Sequence, residues 1–299
     1  MAMITDGIHN NKRRRITRTS EWRSFSRIFL QRKLVLVGLI ILILLFATAI
    51  FADKIAPYDP YEPAVGPPLT HPCKKHLLGT DLLGRDVFSR LIYGSRVTLL
   101  VGFATVTIAS IVGIGIGLIA GYFGGIIYTV IMRMIDALMS FPMILIAILI
   151  SALLGSGVKN VIIALSIALL IPYTRVTCGL TLSIKENDYI LAQKAMGSSH
   201  FRILFFHILP NAFPPLIVLI TLQLGVVILT EAGLSFLGLG IKPPMPAWGA
   251  MVSEGYKYLR TQPMLSLAPG LAVMLVAFSF NVVGDGLRDA LDPRLRGLL

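Results

Sequence analysis

Long apolar runs separated by short charged ones dominate this chain. Leu34 to Ala52 holds no charged side chain, and a helix rising about 1.5 Å per residue would carry that run across roughly 30 Å of hydrocarbon. Val97 to Met132 adds 36 uncharged residues, too many for one perpendicular span. The turn-forming sequence Gly121-Tyr122-Phe123-Gly124-Gly125 interrupts them. The pattern predicts one helix over 97–120 and a second over 127–153 that runs through Pro142. Gly155-Ser156-Gly157 then turns the chain into a helix over 160–182, and later apolar stretches predict helices over 212–234 and 264–284. Together with the first run over 34–52, these give six spans, an all-α integral membrane protein.

Composition agrees with that class. The chain has 299 residues, 55% of them hydrophobic and 14% charged, with a mean hydropathy of +0.79. Globular proteins carry about 25% charged residues, so an ordinary soluble enzyme and a disordered chain are both excluded. Two cysteines, Cys73 and Cys178, do not make a disulfide framework. The net charge of +12 suggests nucleic acid until its distribution is considered. Nine of the 27 basic residues precede residue 34, from Lys12 to Lys33, and only Asp6 and Glu21 oppose them. Basic residues beside a span mark its cytoplasmic end. No nucleic-acid partner is expected; the lipid membrane is. Asp53-Lys54-Ile55 lacks the small residues of a cleavage site, so the first span reads as a retained anchor. An even number of spans then puts both termini in the cytoplasm.

Few residues suggest chemistry. Gly113, Gly115, Gly117 and Gly121 lack the preceding strand of a dinucleotide fold. Gly113, Gly117 and Gly121 recur every four residues, a helix face that lets another backbone approach. His71, Cys73 and His76 have irregular spacing and no nearby fourth ligand, so no metal site is expected. No catalytic arrangement is visible. The dipeptide Gly-Lys does not occur, which removes any phosphate-binding loop of the Walker type. Any nucleotide energy must come from another polypeptide.

The segment from Asn187 to Asn211 carries most information. Asn187 or Asp188 can cap a short helix, Gly197 can end it in the left-handed conformation, and Ser198 or Ser199 can cap a second. That second helix places Phe201, Leu204, Phe205 and Ile208 on one face, and Pro210 is expected to stop it. The simpler alternative is an amphipathic loop resting on lipid.

This segment resembles the cytoplasmic coupling loop of binding-protein-dependent ABC-transporter permeases, whose pattern is Glu-Ala-Ala, three residues, Gly, nine residues, Ile-x-Leu-Pro. Ala192, Gly197, Leu209 and Pro210 match it. Leu191, Gln193 and His207 depart from it, in a manner that resembles the dipeptide/oligopeptide/nickel branch. Other stretches are similar to that branch, above all to its dipeptide-type C subunit: His76 to Arg90, Gly121 to Asp136, Leu234 to Gly240 with Trp248-Gly249, and Asn281 to Pro293.

The resemblance implies a type I importer permease fold. A basic cytoplasmic segment would occupy 1–33, the first helix 34–52, an extracytoplasmic segment 53–94, the core transport domain 95–285 and a cytoplasmic tail 286–299. Within the core, loop 187–210 would couple to the ATPases through Tyr189, Ala192, Gln193, Ala195, Gly197, Leu209 and Pro210. The implied partners are a second permease, two ATPase subunits and an extracytoplasmic solute-binding protein, in a bacterial or archaeal cytoplasmic membrane. ATP and Mg would bind the partner ATPases, and this chain would hold neither a cofactor nor a catalytic site. The implied cargo is a di- or oligopeptide, with nickel as the alternative. A secondary transporter, the reading from a different class, would show inverted repeats, and none is visible.

Ionisable residues within spans are functional candidates. Arg133 and Asp136 are three residues apart on a helix and are expected to pair. Glu231, near the outer end of the fifth span, is expected to meet a partner chain or line water, and Arg175 to reach toward headgroups.

Overall fold

The computed structural model describes residues 29–30 and 32–291. The segment expected over 1–33 lies almost wholly outside these residues, as does the tail beyond Leu291. Five helices are long and apolar enough to cross a membrane: α1 (Lys33–Ile50), α3 (Val87–Phe123), α6 (Val158–Lys185), α8 (His200–Phe236) and α10 (Met264–Leu291). Helices α4 (Gly125–Met139) and α5 (Met143–Leu154) are apolar enough only as a pair and meet at 91°, so the apolar spans number five, or six where this bent pair crosses as one. Three shorter helices complete the described residues: α2 (Ala52–Ile55), α7 (Asp188–Ala195) and α9 (Trp248–Tyr256). Helices satisfy their backbone polar groups internally, as a hydrocarbon solvent requires. Large apolar side chains such as Leu34, Ile43, Ile111 and Leu149 remain exposed along the spans, where lipid would meet them.

The helices depart from the apolar pattern at four places. Expected from 97, α3 starts at Val87. The charge-free run begins only after Arg96, but Arg96 pairs with Asp53 at 2.9 Å and Arg90 is buried. A domain boundary at 95 therefore falls inside a continuous helix. The single helix expected over 127–153 is broken at Ser140-Phe141-Pro142. Proline lacks an N–H and drives the preceding residue out of the α region, and Pro142 instead caps α5.

The reverse happens at Pro210, which was expected to end a helix but lies inside α8. Residues Ile203–Ile208 immediately before it are π-helical. The wider turn shifts the hydrogen-bond register where Pro210 has no N–H to give, and Asn211 Nδ2 donates to His207 O at 2.6 Å. The amphipathic helix and the fifth span are thus one element. Finally, α10 continues to Leu291, past the expected end at 284.

Packing follows the small residues. Along α3, a Cβ on Gly113, Gly117 or Gly121 would lie 2.6, 2.6 and 2.7 Å from Tyr173 Cβ, Thr174 O and Thr181 Cβ of α6. The two backbones approach as closely as glycine permits. Helix α8 packs along α10, α9 fits against both, and α1 lies on α10 and α3. Arg32 Nη2 sits 2.7 Å from Asp289 Oδ2, so the start of α1 and the end of α10 share one end of the bundle.

Candidate functional site

The segment between α6 and α8 folds as two helical arms around a corner. Asn187 occupies the N-cap position of α7, although its side chain donates backward to Ile184 O at 2.9 Å rather than capping. At the other end, Gly197 has φ +76°. Its N–H donates to Lys194 O at 3.0 Å and the Ser198 N–H to Gln193 O at 3.1 Å, the paired bonds of a Schellman ending. Ser198 Oγ and Gln193 Oε1 are 2.7 Å apart, and Ser199 caps the start of α8 through Arg202 N–H.

The apolar sides of the two arms differ from expectation. Leu204 and Ile208 are buried with Ile203 and Ile190, whereas Phe201 and Phe205 are exposed, with ring centroids 4.5 Å apart and planes tilted by 33°. The π-helical turns rotate the buried face by changing the residues per turn. Tyr189, Leu191 and Met196 are exposed as well, so the corner presents an apolar surface. Ala192, Ala195 and Pro210 are exposed, and Gln193 and Leu209 are half-buried. Beneath the corner, Ile190, Ile203, Leu204 and Ile208 form a small core with Leu118 and Tyr122 of α3, separate from the main one.

The intramembrane ionisable groups are arranged differently from the sequence-based expectation. Asp136 pairs with Arg175 of α6, not with Arg133, which is exposed. A partner 39 positions away is not visible in helical spacing. Glu231 is buried within the chain and accepts from Ser235 Oγ at 2.6 Å, and that hydroxyl in turn accepts from Ile241 N–H at 3.0 Å. Its hydrogen-bonding neighbour lies one turn along its own helix.

Sequence reading missed a polar network at the opposite end of α3. Asp86 caps this helix, accepting from Ser89 N–H and Ser89 Oγ, both at 2.8 Å, and from His76 Nδ1 at 3.0 Å. Asp81 accepts from Arg85 Nε at 2.6 Å and lies 3.6 Å from Arg90 Nε. Arg85 Nη2 reaches within 3.6 Å of Glu254 on α9, and Arg90 Nη1 donates to Pro244 O at 3.3 Å. Trp248 Nε1 donates to Leu91 O at 2.9 Å, and Gln262 Nε2 to Leu69 O at 2.7 Å. Segment 57–86 is thereby tied to α9 and the residues flanking it. The density of Asp and Arg between 81 and 90 was the available signal. Nearby, the Arg96 guanidinium and the Tyr93 hydroxyl hold the Asp53 carboxyl down at about 2. His71 and Cys73 are exposed while His76 turns inward, and no three His, Cys, Asp or Glu side chains group as metal ligands among the described residues.

Multi-pass helices, a Gly-cornered loop between two spans and no soluble domain among the described residues define a membrane-embedded helical protein. Comparison with known proteins specifies its kind. Residues 113–297 match the family described as "Binding-protein-dependent transport system inner membrane component", and residues 20–72 match the "N-terminal TM domain of oligopeptide transport permease C". The dipeptide transport system permease protein of Alkalihalophilus pseudofirmus is 43% identical over 94% of this chain and 92% of its own length. A glutathione transport system permease protein of Pectobacterium atrosepticum is 41% identical over 92% of each chain. A di/tripeptide transport system permease protein of Pseudomonas aeruginosa is 41% identical over 92% of this chain and 91% of its own. The chain belongs to the binding-protein-dependent transport system inner membrane component family. It is a permease subunit of an ABC importer, a multi-pass protein of the bacterial cytoplasmic membrane, as the motif resemblance implied.

Proposed function

We propose that this chain forms, with a second permease, the membrane path for dipeptides or other short peptides, and that loop 187–210 docks a cytosolic ATPase. The observation that carries the docking role is the corner at Gly197. Two short arms in a fixed Schellman geometry display Tyr189, Leu191, Met196, Phe201 and Phe205 outward. An exposed apolar surface of this kind marks an interaction site.

An extracytoplasmic solute-binding protein delivers the peptide, and ATP with Mg is bound and hydrolysed on two ATPase subunits rather than here. Each ligand shifts the inward- and outward-open states only by its differential affinity for them, and ATPase closure moves the attached helices as rigid bodies. Peptide is favoured over nickel because the permeases of Alkalihalophilus pseudofirmus, Pseudomonas aeruginosa and Pectobacterium atrosepticum are named for dipeptides, di/tripeptides and glutathione. The test is uptake of labelled dipeptides, longer peptides and nickel by a strain lacking this chain. Loss of dipeptide uptake alone supports the reading; loss of nickel uptake alone refutes the cargo.

The proposed orientation places both termini and Gly197 in the cytoplasm and segment 57–86 outside. It rests on the basic N-terminus and on the shared end of α1 and α10. Cys73 is exposed and Cys178 buried. In intact cells stripped of any outer membrane, an impermeant thiol reagent should label Cys73. A cysteine placed at Ser198 should react only after permeabilisation. The opposite pattern would invert the topology.

A further inference from the structure

Residues Gly121–Gly125 do more than separate α3 from α4. Tyr122, 8% exposed, lies in the last turn of α3 with its hydroxyl 2.8 Å from Nδ1 of His200, the first residue of α8. The direction of that hydrogen bond follows the imidazole tautomer. The His200 ring meets the Tyr122 and Phe123 rings edge-on, with centroids 5.5 and 5.6 Å apart. Lys194 of α7 places its Nζ 5.4 Å from the Tyr122 centroid. Lys185, the last residue of α6, donates to Gly121 O at 2.9 Å. One turn thus receives a side chain from each of the three helices that flank or form the corner.

We propose that Gly121–Gly125 is the seat of the coupling loop, with Tyr122 as the positioning residue that passes displacement of the Gly197 corner to α3. This rests on the reading of 187–210 as the ATPase-docking loop. Chain continuity links the corner to α6 and makes it part of α8, but not to α3. The link to α3 runs through Tyr122, Leu118 and the small core beneath the corner. From there α3 is a single helix of 37 residues, about 55 Å long at 1.5 Å per residue. It lies against α6 at Gly113, Gly117 and Gly121 without room for a Cβ. Packing that tight moves as a unit rather than deforming. Its far end carries Asp86 and Arg90, which join it to segment 57–86 and the α9 region. A push at the corner therefore reaches the opposite face through one rigid piece.

The experiment uses the full transporter, with its partner permease, ATPases and solute-binding protein, reconstituted in liposomes. Labelled dipeptide uptake and ATP hydrolysis are measured on the same vesicles. Tyr122→Phe removes the hydroxyl and keeps the ring; His200→Phe removes the partner nitrogen, keeps a ring and changes an exposed position. Each should leave the ATPases bound and lower peptide moved per ATP by about 2- to 10-fold, the range expected for one hydrogen bond. The double variant should be no worse than either single one, because both remove the same interaction. Unchanged peptide per ATP in both single variants, or losses that multiply in the double, would overturn the proposal. If Tyr122→Phe lowers the yield of assembled complex, His200→Phe alone decides by the same ratio. ATPases that fail to bind the wild-type chain in these vesicles would instead remove the docking reading of 187–210 on which the joint depends.

Discussion

Gly117→Leu should prevent the transporter from assembling, whereas Gly115→Leu, two residues away on the same helix, should be tolerated. A Cβ at 117 would lie 2.6 Å from Thr174 O, 2.7 Å from Thr177 Cβ and 3.1 Å from Cys178 N of α6. Two of those atoms are backbone, so no side-chain rotation relieves the overlap, and α3 and α6 must separate. Overpacking typically costs about 1–3 kcal/mol, and a leucine driven against a helix backbone belongs at or above the top of that range. A Cβ on Gly115 meets nothing within 4 Å. Size-exclusion profiles of the detergent-solubilised variants check this. Equal loss in both would show that hydrophobic bulk anywhere on α3 is harmful, and no loss in either would contradict the close α3–α6 approach.

The second large effect is expected at Asp86. Its carboxylate is fully buried and accepts three hydrogen bonds, from His76 Nδ1, Ser89 N–H and Ser89 Oγ. Asp86→Ala leaves the first two donors without this acceptor and removes the cap of α3. Each unsatisfied buried group costs about 1–3 kcal/mol, and a lost cap about 1 kcal/mol. A local loss of about 3 kcal/mol raises the opened population roughly 100-fold. Hydrogen exchange over residues 79–90 should accelerate accordingly, while α8 and α10 keep their protection. Unchanged exchange over 79–90 would show that Asp86 does not hold the segment to α3.

The spans were legible because lipid imposes a simple rule, and runs such as 34–52 obey it without tertiary help. The Gly197 corner was legible because left-handed backbone is expensive for every residue with a Cβ. Charge misled where it was neutralised: Arg90 and Arg96 look like the end of a span in sequence, yet both lie inside α3 with partners from elsewhere. Proline gave opposite outcomes. Pro142 breaks a helix, whereas Pro210 continues one that has just passed through a π-helical stretch. The partner of Asp136 and the seat for His200 lie 39 and 78 positions away, and no local period encodes such pairings. Helix α9 was missed because its nine residues are too short to show a periodicity apart from their surroundings.

The proposed drive of this permease through the corner at 187–210 is put to the test by Gly197→Val. Gly197 has φ +76°, and a Cβ there would meet nothing within 4 Å. The substitution therefore acts through backbone strain alone, on the order of 1–2 kcal/mol and more for a β-branched residue. The spans do not depend on that turn, so the variant should insert and pair with its sibling permease. The measurement is a pull-down of the ATPase subunits by tagged Gly197→Val chain, with labelled dipeptide uptake followed in the same strain. The ATPases should be recovered poorly, or should hydrolyse ATP without uptake. Full recovery of the ATPases together with wild-type uptake would rule out coupling through the corner and leave residues 187–210 as a connection between spans.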